Sequence, residues 1–210
     1  MAITADQVKI LRDRTGAGMM ECKAALTEAN GNIEEAITVL RKRGLAKAAT
    51  RTGRATKQGA IGTYVHMPIA EGSGPFGFAK LGVLVEVNCE SDFVAKTDDF
   101  KTLVKELAMQ VAAADPTWVN RDQVPAAEVE KEKEIFRAQM AESGKPAHVI
   151  DKIVEGKLNS FFERVCLLDQ VSVRDSSVKV SQMIASAVAK TGENIAVARF
   201  ARFKLGDSAE

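Results

Sequence analysis

Apolar and polar residues alternate from Leu81 to Cys89. Leu81, Val83, Val85, Val87 and Cys89 lie on one side and Gly82, Leu84, Glu86 and Asn88 on the other, the period-2 pattern of a strand with one face buried. Phe100, Leu103, Val104, Leu107 and Val111 then recur at helical spacing. The segment between these two elements, Ser91-Asp92-Phe93-Val94-Ala95-Lys96-Thr97, must therefore be a short turn that presents an acid beside a large aromatic in a fixed direction.

Upstream, Thr4 with Gln7 predicts a capping box, with Ile3 and Val8 as a hydrophobic staple, and Val8 and Leu11 begin an apolar stripe. Gly16 and Gly18 supply a turn, a second helix runs to about Asn30, and Gly31 ends it. Asn32 with Glu35 starts a third helix, whose apolar face carries Ile33, Ala36, Ile37 and Leu40 and which is expected to end near Gly44. Met19 and Met20 are consecutive, so both cannot face the core of one helix, and at least one is expected at the surface as an adaptable contact.

Ile61, Thr63, Val65 and Met67 alternate with Gly62, Tyr64 and His66 as a further strand, joined to the Leu81 strand by a loop at Gly72 to Gly77. Val124 to Glu142 reads as a helix with a large solvated face, anchored by Val129, Ile135, Phe136 and Met140. Ser143-Gly144-Lys145-Pro146 breaks the chain, and Val149, Ile150, Ile153, Val154, Leu158, Phe161 and Phe162 predict a well-buried helix. A last helix holds Val180, Ile184, Ala187 and Val188 and stops at Gly192, and Ala196 to Phe203 forms a third strand. The fold class is α+β: an N-terminal three-helix module over residues 1–44, a basic linker over 45–57, and a core over 58–210 in which helices back a small antiparallel sheet.

Two stretches carry a family resemblance. Val85-Glu86-Val87-Asn88-Cys89-Glu90-Ser91-Asp92-Phe93-Val94-Ala95-Lys96 and Thr15-Gly16-Ala17-Gly18-Met19-Met20-Glu21-Cys22-Lys23-Ala24-Ala25-Leu26 resemble the two signatures of the translation elongation factor Ts family, in its short bacterial-type form. Gly156-Lys157-Leu158, the stretch from Cys166 to Val180, and Phe200 to Gly206 resemble the same family, so the likeness spans nearly the whole chain. Ser91 stands where the family usually has Thr and Thr97 where Asn is common, and both changes keep a capping side chain.

The resemblance implies a ubiquitin-associated-like N-terminal module and guanine-nucleotide exchange on elongation factor Tu in the cytoplasm. It implies that Ser91, Asp92, Phe93, Val94 and Ala95 form the turn that displaces the partner's Mg²⁺, and that Arg12, Met19, Met20 and Lys23 touch the partner's nucleotide-binding domain. The longer family members carry a second core subdomain, so a homodimer is expected to supply the missing surface. No cofactor and no metal of the chain's own are expected.

Composition narrows the alternatives. Arg41, Lys42, Arg43, Lys47, Arg51, Arg54 and Lys57 form a basic run without an acid, which on its own would suit a phosphate-backbone binder. Lys and Arg total 29 against 28 Asp and Glu, and no aromatics interleave the run for base stacking, so direct nucleic-acid binding is the second reading. Cys22, Cys89 and Cys166 are odd in number and widely spaced, which suits reduced thiols rather than disulfides or a zinc site. A cysteine hydrolase would have to use Cys89 with His66, yet Cys89 falls on the apolar side of its strand, and no Walker-type loop is present. The apolar runs fall short of the roughly 20 residues that cross a bilayer, and no signal-peptide core is seen.

Overall fold

The computed structural model describes residues 3–67, 79–140 and 146–207. The loop expected at Gly72 to Gly77, the end of the solvated helix at Glu142, and the breaking residues Ser143, Gly144 and Lys145 lie outside the described residues. Residue contacts gather the chain into two compact units that interleave in sequence: Met1–Ala60 with Val87–Leu103 and Gln182–Ala196, and Ile61–Glu86 with Val104–Ser181 and Val197–Glu210. Three strands, β1 (Gln58–His66), β2 (Leu81–Cys89) and β3 (Ile195–Lys204), form a small antiparallel sheet in the order β1-β2-β3.

In the first unit, α1 (Ala5–Thr15), α2 (Met19–Glu28) and α3 (Ile33–Arg51) bury Val8, Leu11, Cys22, Ala25, Leu26, Ala29 and Ala36 against one another. Each boundary has a local cause. The Thr4 hydroxyl accepts from the Gln7 amide while the Gln7 side chain accepts from the Thr4 amide, closing the capping box. Gly16 ends α1 at a φ of 67°, in the left-handed region that favours glycine. The Asn32 side chain accepts from the amides of Glu34 and Glu35 and opens α3.

One boundary differs from the sequence reading. The third helix ends at Arg51 rather than near Gly44, so residues 45–51 of the expected linker are helical. Gly44 does not terminate it because the surrounding Lys, Arg, Leu and Ala are strong helix formers, and one interior glycine costs only about 1 kcal/mol. A Cβ at Gly44 would meet the Ala189 side chain at 3.6 Å, ordinary contact with α8 (Val180–Thr191).

Helix α5 (Asp98–Ala114) belongs to both units, residues 98–103 to the first and 104–114 to the second. Phe100, Leu103, Val104, Leu107 and Val111 of that helix are all buried, as their spacing predicts. Strand β1 turns its small side inward: Gly62 is buried, whereas Ile61 and Val65 are exposed. A Cβ at Gly62 would lie 2.3 Å from Val104 Cγ1 and 3.1 Å from Val85 Cγ1, so only glycine admits this close packing. The apolar set of β1 is thereby left on the outer face.

Helices α6 (Ala126–Met140) and α7 (Ala147–Val165) pack on each other around Val124, Phe161 and Cys166. α7 is less buried than its apolar content suggests: only Val154 and Phe161 are fully covered, because the helix has a packed side and a solvated side. A buried amide pair holds the chain after α7. Gln110 donates to Gln170 Oε1 and to the Val171 carbonyl, each at 3.1 Å, and accepts from the Val173 amide at 2.8 Å. Gln170 donates in turn to the carbonyls of Arg164 and Ala114, leaving the pair satisfied.

Candidate partner-binding site

Strand β2 delivers the chain to Ser91, and the next residues coil into a one-turn helix, α4 (Asp92–Ala95), rather than an open turn. Ser91 caps it, with its hydroxyl accepting from the Val94 amide at 3.4 Å. Thr97 then starts α5: its hydroxyl accepts from the Phe100 amide at 3.3 Å and donates to the Val94 carbonyl at 2.8 Å. Two hydroxyls therefore fix both ends of the segment. Val94 is its buried anchor, and Ala95 is half-buried.

Phe93 is 79% exposed. An aromatic ring held in water on a short, doubly capped turn contributes nothing to the core. Asp92 beside it is exposed and accepts from Lys96 Nζ at 2.7 Å. The hydrogen bond and charge of Lys96 hold the Asp92 carboxyl below its ordinary pKa, so it stands ionised at neutral pH.

The segment is braced by a remote loop. Glu193 accepts from the Ser91 amide at 2.9 Å and from the Ser91 hydroxyl at 2.6 Å. Next to it, the Asn194 amide donates to Glu90 Oε1 at 2.6 Å, and the Asn194 side chain donates to the Arg54 carbonyl at 2.9 Å. Arg51 donates to the Gly192 carbonyl. The sequence carries no sign of Glu193 and Asn194 or of their pairing with Ser91, Glu90 and Arg54, because pairings this distant in the chain leave no local pattern; only the helix stop at Gly192 marks the loop.

The second predicted group lies on the three-helix module. Met19 and Met20 are 59% and 77% exposed, so both face water. They open α2 behind Gly18, which offers no side-chain cap. Arg12 and Lys23 are exposed as well. This group and the Phe93 segment belong to the same compact unit, and among the described residues no hydrogen bond or ion pair joins them.

The basic run is largely engaged. Arg43 pairs with Glu28 at 2.6 Å, Lys47 with Glu21, and Arg54 with Glu90 at 3.7 Å. Lys47 holds the Glu21 carboxyl below its usual value. The first two pairs tie α3 to α2, and the third joins the chain beyond α3 to the residue that follows β2. Cys89 is buried, its sulfur donates to the Ser91 carbonyl, and burial pushes its thiol up, the reverse of nucleophile activation. His66 instead sits against the Tyr64 hydroxyl at 3.0 Å. Cys166 is pushed up to about 11 by burial. Among the described residues no helix is long and apolar enough to cross a membrane.

The segment with its exposed Phe93 and the Met19-Met20 helix start are the two stretches that resemble one family in sequence, and the whole chain agrees. The sequence pattern of the family described as Elongation factor TS matches residues 2–207. The chain belongs to the elongation factor Ts family. Elongation factor Ts of Fervidobacterium nodosum is 56% identical over 207 residues, which is 99% of this chain and 100% of that protein. That of Thermosipho melanesiensis is 56% identical over 205 residues, 98% of this chain and 100% of its own. The Koribacter versatilis protein is 54% identical over 210 residues, all of this chain and 91% of that one. Membership places the chain among the elongation factors of protein biosynthesis.

Proposed function

We propose that this chain is a guanine-nucleotide exchange factor for elongation factor Tu in the cytoplasm, acting through the segment Ser91 to Ala95 and without covalent chemistry of its own. The observation that supports this reading most directly is the exposure of Phe93 on a capped and braced turn.

The physical argument runs through linkage. A GTPase holds its nucleotide by phosphate contacts and a Mg²⁺ ion, so release is slow until the empty state is stabilised. A factor that binds the empty partner better than the loaded one weakens nucleotide binding by the same factor. Each ~1.4 kcal/mol of differential binding is about tenfold in nucleotide affinity. Burying the Phe93 ring in the partner contributes roughly 1.5–3 kcal/mol.

In this reading Phe93 inserts between partner helices near the Mg²⁺ site, with Asp92 beside it and Val94 and Ala95 backing the intruding turn, and the ion loses its coordination. Asp92 exchanges its contact with Lys96 for partner groups that organise the ion's surroundings. Arg12, Met19, Met20 and Lys23 dock the module on the partner's nucleotide-binding domain, where thioether side chains adapt to its surface.

A homodimer belongs to the same proposal. Ile61, Val65, Met67, Leu84, Phe203 and Leu205 are exposed, and Val65, Phe203 and Leu205 line one hollow with Gly82. A contiguous apolar sheet face marks an interaction site, and a second copy of the chain presents the matching one. Light scattering that finds only monomer, alone and with partner, would reject this part.

The test of the main reading is release of a fluorescent GDP analogue from elongation factor Tu, chased with unlabelled GDP. Wild type accelerates release, and the double variant Asp92→Ala with Phe93→Ala does not. No acceleration by wild type would refute the function, and full acceleration by the double variant would move the site elsewhere.

A further inference from the structure

We propose that Glu193 is the positioning residue of the exchange turn: its carboxylate, gripping both the amide and the hydroxyl of Ser91, sets the direction in which Phe93 projects. The inference rests on the function proposed above and adds a residue that neither signature stretch contains.

The geometry carries it. Helix α4 spans only Asp92–Ala95, and a helix this short has no stability of its own. Its direction must come from what holds its ends. At the N-terminal end that is Ser91, and both polar hydrogens of Ser91 go to Glu193, at 2.9 Å from the amide and 2.6 Å from the hydroxyl. Carboxylate acceptors make the stronger class of hydrogen bond, and a two-point grip fixes rotation as well as distance. With its proton committed to Glu193, the Ser91 hydroxyl turns its lone pair to the Val94 amide, so one carboxylate orients the cap of the whole turn.

Glu193 is itself held. Its amide donates to the Thr191 hydroxyl at 3.4 Å, and that hydroxyl donates to the Ala187 carbonyl inside α8 at 2.9 Å. Gly192 turns the chain at a φ of 76°, and Arg51 donates to its carbonyl. On the other side Asn194 donates to Glu90, the residue before Ser91. The loop 192–194 thus clasps residues 90 and 91 at two consecutive positions, anchored to α3 and α8.

A loosened clasp leaves docking by Met19 and Met20 untouched and makes Phe93 fluctuate, which lowers the maximal rate of nucleotide release rather than the affinity of the complex. The test measures fluorescent GDP release from elongation factor Tu against exchange-factor concentration for wild type, Glu193→Gln, Glu193→Ala and Phe93→Ala. Hydrogen exchange at the Val94 amide is followed in the free proteins.

Glu193→Ala is expected to lower the maximal rate about tenfold with a half-saturating concentration within about twofold of wild type, the scale on which misplaced groups act. Glu193→Gln keeps the size and one acceptor, so it folds where the alanine variant fails, falls between the two in rate, and exposes the Val94 amide to faster exchange. Wild-type maximal rates and wild-type Val94 protection in Glu193→Gln would overturn the proposal while Phe93→Ala still lost activity, leaving the exchange function intact. A rise in half-saturating concentration with an unchanged maximal rate would also overturn it. No acceleration by wild type would bring down both readings.

Discussion

Two places on the first compact unit present large apolar side chains to water, and they are supported in opposite ways. Phe93 stands on a single helical turn with Ser91 capping one end, Thr97 opening the helix that follows, and Glu193 bracing Ser91 from a remote loop. Met19 and Met20 stand at the start of α2 behind Gly18, with no side-chain cap. Side-chain hydrogen bonds hold the backbone on both sides of Phe93, while the backbone at Met19 and Met20 has no such support. The difference teaches that exposure alone does not define a role: under the function proposed above, a ring on a held turn suits displacement of a structured neighbour, and adaptable methionines suit docking.

Conservative replacements at the two places should separate these roles most strongly. Phe93→Leu is expected to slow accelerated GDP release about tenfold, equivalent to roughly 1.4 kcal/mol of lost differential binding. Met19→Leu with Met20→Leu should stay within about twofold, because volume-conserving swaps of adaptable side chains are tolerated. Equal losses in the two would break the comparison.

The supports can then be exchanged. Removing the Ser91 cap as Ser91→Ala should cost about 1 kcal/mol of stability and lower the melting temperature by about 2–4 °C. Adding a cap to α2 as Gly18→Ser should gain a few tenths of a kcal/mol, since Gly18 has the extended backbone of an N-cap and a Cβ there would meet only the Glu21 side chain, at 3.8 Å or beyond. Calorimetric scans of both variants check the pair, and a Gly18→Ser variant that melts lower would contradict the assignment of α2's start.

The smallest effect concerns Asp92. Its carboxyl is depressed by Lys96, so the contact is complete above the ordinary value of 3.8 and is lost as pH falls through the lower folded-state value. Lys96→Ala should return the Asp92 titration toward 3.8 in an NMR pH series. A titration that stays depressed would assign the shift to the backbone amides of α4 instead.

Much of this was legible in the chain. The alternation of β2 and the spacing of Phe100, Leu103, Val104, Leu107 and Val111 place a strand and a buried helix on either side of the Phe93 turn, because burial on one face imprints its period. The cap at Thr4 and the stop at Gly192 were readable for the same local reason. What escaped depends on distant neighbours. The outward apolar face of β1 follows from Gly62 meeting Val104, and the brace on Ser91 comes from Glu193; neither pairing has a sequence period. The run to Arg51 was misjudged because a glycine at 44 looks like a stop until helical neighbours outweigh it.

The central claim is that an aimed Phe93 ring drives release. Its most direct test is the maximal rate of fluorescent GDP release from elongation factor Tu at saturating Phe93→Ala, alongside the thermal stability of the variant. The account predicts a maximal rate at least about tenfold below wild type with stability within about 0.5 kcal/mol, since the ring is exposed in the free protein. A Phe93→Ala protein that reaches the wild-type maximal rate would contradict it.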